Sequence, residues 1–119
     1  ALEPAEHVRR VDDTELDVVA RAFADIIDAK SPYTFRHSSN VAEYAAAIGA
    51  ACGLPAEEAR RLRRAGLLHD IGKLGVSSAI LDSPSRLSDA ERAEVERHPV
   101  YTWAILRRVS AFEPFAWLA

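Results

Sequence analysis

The residues best equipped for chemistry in this chain are His69, Asp70 and Lys73, which put an imidazole, a carboxylate and an ammonium into the run His69-Asp70-Ile71-Gly72-Lys73. On a helix His69 and Lys73 are i,i+4 neighbours and Asp70 and Lys73 are i,i+3 neighbours, so the three heads can be directed to one side of a single turn. Gly72 leaves room between them for close approach. Groups of this kind suit metal ions and a phosphate. Two further histidines, His37 and His98, fall on other predicted helices, and a helical bundle can bring side chains from facing helices to one interior point. Neutral imidazole with carboxylate suits Fe, Mn, Zn, Co or Ni better than Ca or Mg, which prefer all-oxygen shells. Asp70 has two oxygens, enough to bridge a pair of ions about 3.5–4 Å apart, and such a pair generates hydroxide near neutral pH and clamps a phosphate during in-line attack. The competing reading for any one of these histidines taken alone is a structural or solvated side chain.

The elements that must position these groups read as helices throughout. Residues 1–12, with His7 solvated, show no clear period and read as a linker or the tail of something upstream. Thr14-x-x-Asp17 has the form of a capping box, and Leu16, Val19, Ala20, Phe23, Ile26 and Ile27 recur at helical spacing as a core stripe. Ser31-Pro32 should end that helix. A second helix, with His37 at its start, carries Val41, Tyr44, Ala45, Ile48 and Cys52 on one face, and Gly53 is its expected C-terminal cap. Pro55 opens a third helix with Glu57 and Glu58 near the positive end of its dipole. On it Ala59, Leu62, Gly66 and His69 share the buried stripe. Ile48, Leu62 and Leu67 are expected in the core. Arg60, Arg61, Arg63 and Arg64 flank the stripe and read as a solvated face, with a partner or regulatory contact as the alternative. Gly75 to Pro84 is a loop with a short turn. Ser88-x-x-Glu91 is a second capping box, its helix carries Val95 and His98, and Pro99 breaks it before a run through Trp103, Ile105, Leu106 and Val109. Trp103 and Trp117 read as core. With no period-2 alternation and no internal repeat, the fold class is all-α.

Composition narrows the function classes. A chain of 119 residues is long enough to bury a core as one domain, and its balance of 49% hydrophobic to 28% charged residues is globular. A net charge of −3 argues against a nucleic-acid binder, which would cluster Lys and Arg against phosphates. The single cysteine, Cys52, forms no internal disulfide, so a reducing cytoplasm is the expected compartment. No apolar run is long enough for a membrane span and no leader peptide is recognisable. The absence of an initiator Met fits an excised or processed piece.

The chain closely resembles the HD-domain metal-dependent phosphohydrolases, and within them the HD-GYP family of bacterial cyclic-di-GMP phosphodiesterases. The matching residues are Tyr33-Thr34-x-x-His37-Ser38, Val41-Ala42-Glu43, Ala65 through Val76, Ile80-Leu81, Leu87-Ser88, Glu91 and His98-Pro99, spread over roughly residues 14–118. The resemblance implies an HD-domain helical bundle over 13–119. It implies that His37, His69 and Asp70 are the first metal ligands, with Asp70 bridging, and that His98 belongs to a second metal. It implies further that Lys73 holds the scissile phosphate, and that a phosphodiester in a cyclic dinucleotide is hydrolysed by metal-activated hydroxide.

Three departures from the family pattern matter. Tyr33 stands where members with three metals have a Glu, so two metals are the expectation. Thr102 occupies a position usually held by glycine. The chain ends at Ala119, where the family continues into paired histidines, a Gly-Tyr-Pro loop and a last metal-ligating Asp, so a domain incomplete at its C-terminal end is expected. Such a piece is expected to hold metal poorly or at one position, to self-associate and to be inactive alone. The alternative function is a regulatory or interaction module that keeps the scaffold without the chemistry.

Overall fold

The computed structural model describes residues 12–30 and 36–119, and these are helical and without strands. In order they form α1 (Asp13–Ala29), α2 (His37–Ala51), α3 (Ala56–Leu68), a 3-10 turn (Ile71–Gly75), the short α4 (Ser78–Leu81), α5 (Asp89–Glu96), α6 (His98–Leu106) and a second 3-10 turn (Glu113–Phe115). The all-α expectation holds. The expected linker and His7 lie outside the described residues apart from Asp12, as do Ser31-Pro32 and Tyr33.

α1 starts two residues earlier than the Thr14 box suggests. Asp12 is the N-cap and its carboxylate accepts the Glu15 amide at 2.8 Å, a stronger acceptor at the positive helix end than a threonine hydroxyl. Ser88 and Glu91 do form a reciprocal capping box on α5. Gly53 closes α2 at φ 86°, with its amide on the Ala50 carbonyl and the Leu54 amide on the Gly49 carbonyl, the paired bonds of a Schellman turn.

The core is narrower and richer in alanine than the hydrophobic periodicity predicts. Ala20, Ala24 and Ile27 of α1 meet Ala42, Ala65, Leu67, Leu68, Ile71, Leu106, Phe112, Phe115 and Ala116. Val19, Phe23 and Ile26, read as core, are exposed. On α2 the buried face is Ser38, Ala42, Ala46 and Gly49, whereas Tyr44 (70% exposed), Ile48 (64%) and Cys52 face outward. The reason is the closeness of α2 to α3: a Cβ built on Gly66 would lie 2.7 Å from the Ala42 Cα, so only small side chains fit the seam. Leu67 is buried and Leu62 partly so. Trp103 and Trp117 (73% exposed) are surface residues, not core; α6 turns Thr102 and Leu106 inward and so leaves Trp103 outside, and the helix ends at Leu106, short of Val109.

The arginine face is also not uniformly solvated. Arg64 is buried, with its Nε 2.6 Å from Asp17 Oδ1 and its Nη2 3.0 Å from Asp13 Oδ1, while Arg60 holds the other Asp17 oxygen at 2.8 Å. Arg61 and Arg63 make exposed pairs with Glu58 and Glu43. The Asp17 pair thus ties α1 to α3 below the site.

Partial burial raises the Asp17 pKa, but hydrogen bonds from Arg64 and Arg60 outweigh it and hold the carboxyl below its ordinary value. A folded pKa below the unfolded one gives stability that is complete above about pH 4 and lost as pH falls through the lower folded value. Asp17→Asn should therefore cost about 1–2 kcal/mol at pH 7, less than the roughly 3–5 kcal/mol of breaking a fully buried pair, because Asp17 keeps water contact and Arg64 keeps Asp13. Thermal melts of the two proteins should differ at pH 7 and begin to converge only as pH falls below about 4.

Candidate metal centre

The α-helix of α3 stops at Leu68, so the central motif does not lie on continuous α-helix as its spacing suggests. His69 is the C-cap, Asp70 follows it, and Ile71–Gly75 tightens into a 3-10 turn. Residues i and i+3 eclipse in that geometry. Asp70 and Lys73 accordingly face the same way, with Lys73 Nζ 2.9 Å from Asp70 Oδ2.

Asp70 is the centre of the cluster and is buried at 5% exposure. Its Oδ2 faces His69 Nε2 at 3.3 Å and His37 Nε2 at 3.7 Å, and its Oδ1 faces His98 Nε2 at 3.0 Å. The rings of His37 and His69 are 5.3 Å apart. All five residues singled out in the sequence, His37, His69, Asp70, Lys73 and His98, therefore meet at one carboxylate.

The imidazoles arrive by two devices. His37 is the first residue of α2, whose N-terminal turn is anchored on α1: Asp28, buried, accepts the Ser38 amide at 3.0 Å and the Ser38 hydroxyl at 2.7 Å. Arg36 just before it is left-handed at φ 56°, a conformation that costs a non-glycine residue about 1–2 kcal/mol and is held here by the anchored turn that follows. His69 and His98 are each fixed through Nδ1, which lies 2.7 Å from the Gly66 and Val95 carbonyls respectively. Thr102, fully buried one turn beyond His98, donates its hydroxyl to the His69 carbonyl and accepts the Gly72 amide, both at 2.9 Å. Gly72 is packed so closely that a Cβ there would collide with the His98 carbonyl oxygen and lie 2.5 Å from the Thr102 nitrogen. The anchoring role of Asp28 was not legible in the sequence, since an acidic residue near a helix end is ordinary. Thr102 gave a signal only as a departure from glycine.

The donor set fits a divalent transition metal. A nitrogen 2.7 Å from a carbonyl must carry a proton, so Nδ1–H donates, and Nε2 of His69 and of His98 is left facing Asp70, able to carry a second proton to the carboxylate or to offer a lone pair to a cation. Lone pairs facing a carboxylate at 3.0 and 3.3 Å repel unless a proton or a cation lies between them. Burial opposes the charge on Asp70, but hydrogen bonds with His69 and Lys73 prevail and hold its carboxyl well below the ordinary carboxylate range. Burial likewise lowers the His69 pKa, and the Asp70 carboxylate with the Gly66 carbonyl reverses this, so its net shift is upward. One ligand atom from each of His37, His69 and Asp70 falls within 4.8 Å of the others, which is compatible with one ion, and His98 approaches the other carboxylate oxygen.

Comparison with known proteins gives three findings. A family profile described as an HD domain matches residues 21–118. Over 118 residues, 99% of the chain, it is 47% identical to a 3'3'-cGAMP-specific phosphodiesterase of Vibrio cholerae, and over 67 residues, 56% of the chain, it is 43% identical to a cyclic di-GMP phosphodiesterase of Pseudomonas aeruginosa. The chain covers 26% of the first of these relatives and 16% of the second. No solved structure gives a significant match. Among the described residues no helix is long and apolar enough to cross a membrane.

Asp70→Asn removes the charge at the centre and leaves the volume. In a longer polypeptide that contains this chain it should abolish retention of Mn or Zn, read by elemental analysis after gel filtration, while the far-UV circular dichroism stays helical.

Proposed function

The chain belongs to the HD-domain family, and from that premise we propose that it supplies the metal site of a phosphodiesterase acting on a guanine-containing cyclic dinucleotide. The observation that carries the reading is the sharing of both Asp70 oxygens among three imidazoles and one ammonium. A scaffold without chemistry would need none of these groups around a buried carboxylate. The names of the relatives favour cyclic GMP-AMP and cyclic di-GMP as the substrate class.

His37, His69 and Asp70 would hold one ion, and His98 with the second Asp70 oxygen would contribute to another, of the Fe, Mn, Zn, Co or Ni class. When bound, such ions supply Lewis acidity toward a phosphoryl oxygen and acidify water near neutral pH. The chain's own residues do the rest. The Gly66 and Val95 carbonyls hold the protons of His69 and His98 at Nδ1, so Nε2 stays available and the rings do not turn away. Lys73, largely buried on the rigid 3-10 turn, places a fixed positive charge beside Asp70, where it can meet negative charge building on the phosphoryl oxygens without reorganising. The solvent-exposed free Cys52 is consistent with a reducing cytoplasm.

The test is hydrolysis of cyclic di-GMP and of 3'3'-cGAMP at saturating Mn or Fe, with products separated by chromatography, using both this chain and a longer polypeptide that contains it with the further ligands expected from the resemblance. Turnover of at least one substrate by the longer, metal-loaded polypeptide is expected, and its absence with both would overturn the reading. In that polypeptide Lys73→Ala should lower turnover by about 10²–10³, the loss typical of one preorganised charge-stabilising donor, with bound metal unchanged.

A further inference from the structure

We propose that Thr102 is a positioning residue for the metal centre: its hydroxyl sets the separation of His98 from Asp70 by fastening α6 to the backbone of the central motif. The inference rests on the metal site argued above and names a determinant of that site on a helix far away in sequence. His98 and Thr102 are i,i+4 neighbours and share one face of α6. Thr102 takes hold of the turn through the His69 carbonyl and the Gly72 amide, on either side of Asp70, while His98 meets the Asp70 carboxylate itself at 3.0 Å. One helix face thus grips the motif at its backbone and at its side chain.

The grip is needed where it falls. α3 ends at Leu68, and the next amide bond across the break runs from Lys73 to the Asp70 carbonyl, so the His69 carbonyl lacks the helical partner it would have had in Lys73. A single hydroxyl serves that carbonyl and the Gly72 donor together. Gly72 lets the α6 backbone come down onto the turn, but contact alone does not fix sliding along it. The two directional bonds at 2.9 Å do. Thr102→Val keeps the shape and removes both bonds, so α6 can shift relative to Asp70 and His98 loses its aim. Thr102→Ser keeps the hydroxyl.

The experiment titrates the 119-residue chain with Co²⁺ alone, carried to large excess so that weak binding is still read, and follows the visible d–d bands, whose energy and intensity report the ligand set. Wild type and Thr102→Ser should give the same bands and similar affinity, whereas Thr102→Val should bind about 10–100-fold more weakly, as second-sphere losses do, with a changed spectrum. Ile27→Val, a core change on α1, which supplies no ligand to the centre, serves as the stability control and should keep both affinity and spectrum. Amide exchange at Gly72, read by NMR, should be slow in wild type and Thr102→Ser and fast in Thr102→Val. Equal Co²⁺ binding by wild type and Thr102→Val overturns this inference and leaves the metal reading standing. Equal loss in Ile27→Val shows a stability effect only and overturns it too. No Co²⁺ bands in wild type overturns the metal reading and this inference with it. If Thr102→Val does not fold, a Thr102→Ser chain that loses affinity or Gly72 protection overturns the claim for the hydroxyl, and one that keeps both supports it.

Discussion

A carboxylate taken out of water must be compensated nearby, and the burial of Asp70 imposes that demand on most of the described chain. Its compensation comes from three helices and a turn: His37 at the head of α2, His69 at the foot of α3, Lys73 on the 3-10 turn and His98 at the head of α6. None of these groups is adjacent to another helix's group in sequence, so the helices can only supply them if their ends converge. The ends are where a helix offers unpaired backbone groups and where its direction is set. Placing the chemistry at helix ends lets the same carbonyls and amides that terminate the helices hold the imidazoles, as the Gly66 and Val95 carbonyls do.

Convergence at that scale needs close backbones, and this explains the composition of the seams. Gly66 against Ala42, and Gly72 against His98 and Thr102, leave no space for a larger side chain. The apolar bulk is kept instead where Phe112 and Phe115, their ring centres 5.7 Å apart, join Leu68, Ile71 and Leu106. The Arg64–Asp17 pair secures the remaining helix, α1, whose own contribution to the site is indirect, through Asp28 and the Ser38 turn.

Much of the site was legible because its chemistry sits in residue types that have few other reasons to coincide. The sequence reading named His37, His69, Asp70, Lys73 and His98, and the fold brings all five together. The core was less legible. Hydrophobic periodicity favours large residues, so Phe23, Ile26, Tyr44 and Ile48 drew attention while the alanines and glycine that form the α2–α3 seam carried little signal. Arg64 read as solvated because charge alone does not reveal a partner 47 positions away. The α3 terminus was missed for a related reason: no proline or asparagine marks Leu68, and the helix ends there because tertiary bonds from Thr102 replace the ones it gives up.

The distances along the chain between these contacts also bear on how the molecule comes to be folded. α2 and α3 are joined by a short turn and pack most extensively, so their pairing closes a small loop and is entropically cheap. The bonds from Thr102 to the His69 carbonyl and the Gly72 amide span 33 and 30 residues, and they join segments separated by α4 and α5. Loop-closure entropy makes that union the costlier one to form, and it depends on the α2–α3 hairpin to present the His69 and Gly72 backbone. A chain with the hairpin formed and that union not yet made would display His69 and Asp70 on the open end of a helix, where any metal present could be bound before the last helix arrives to restrict its coordination.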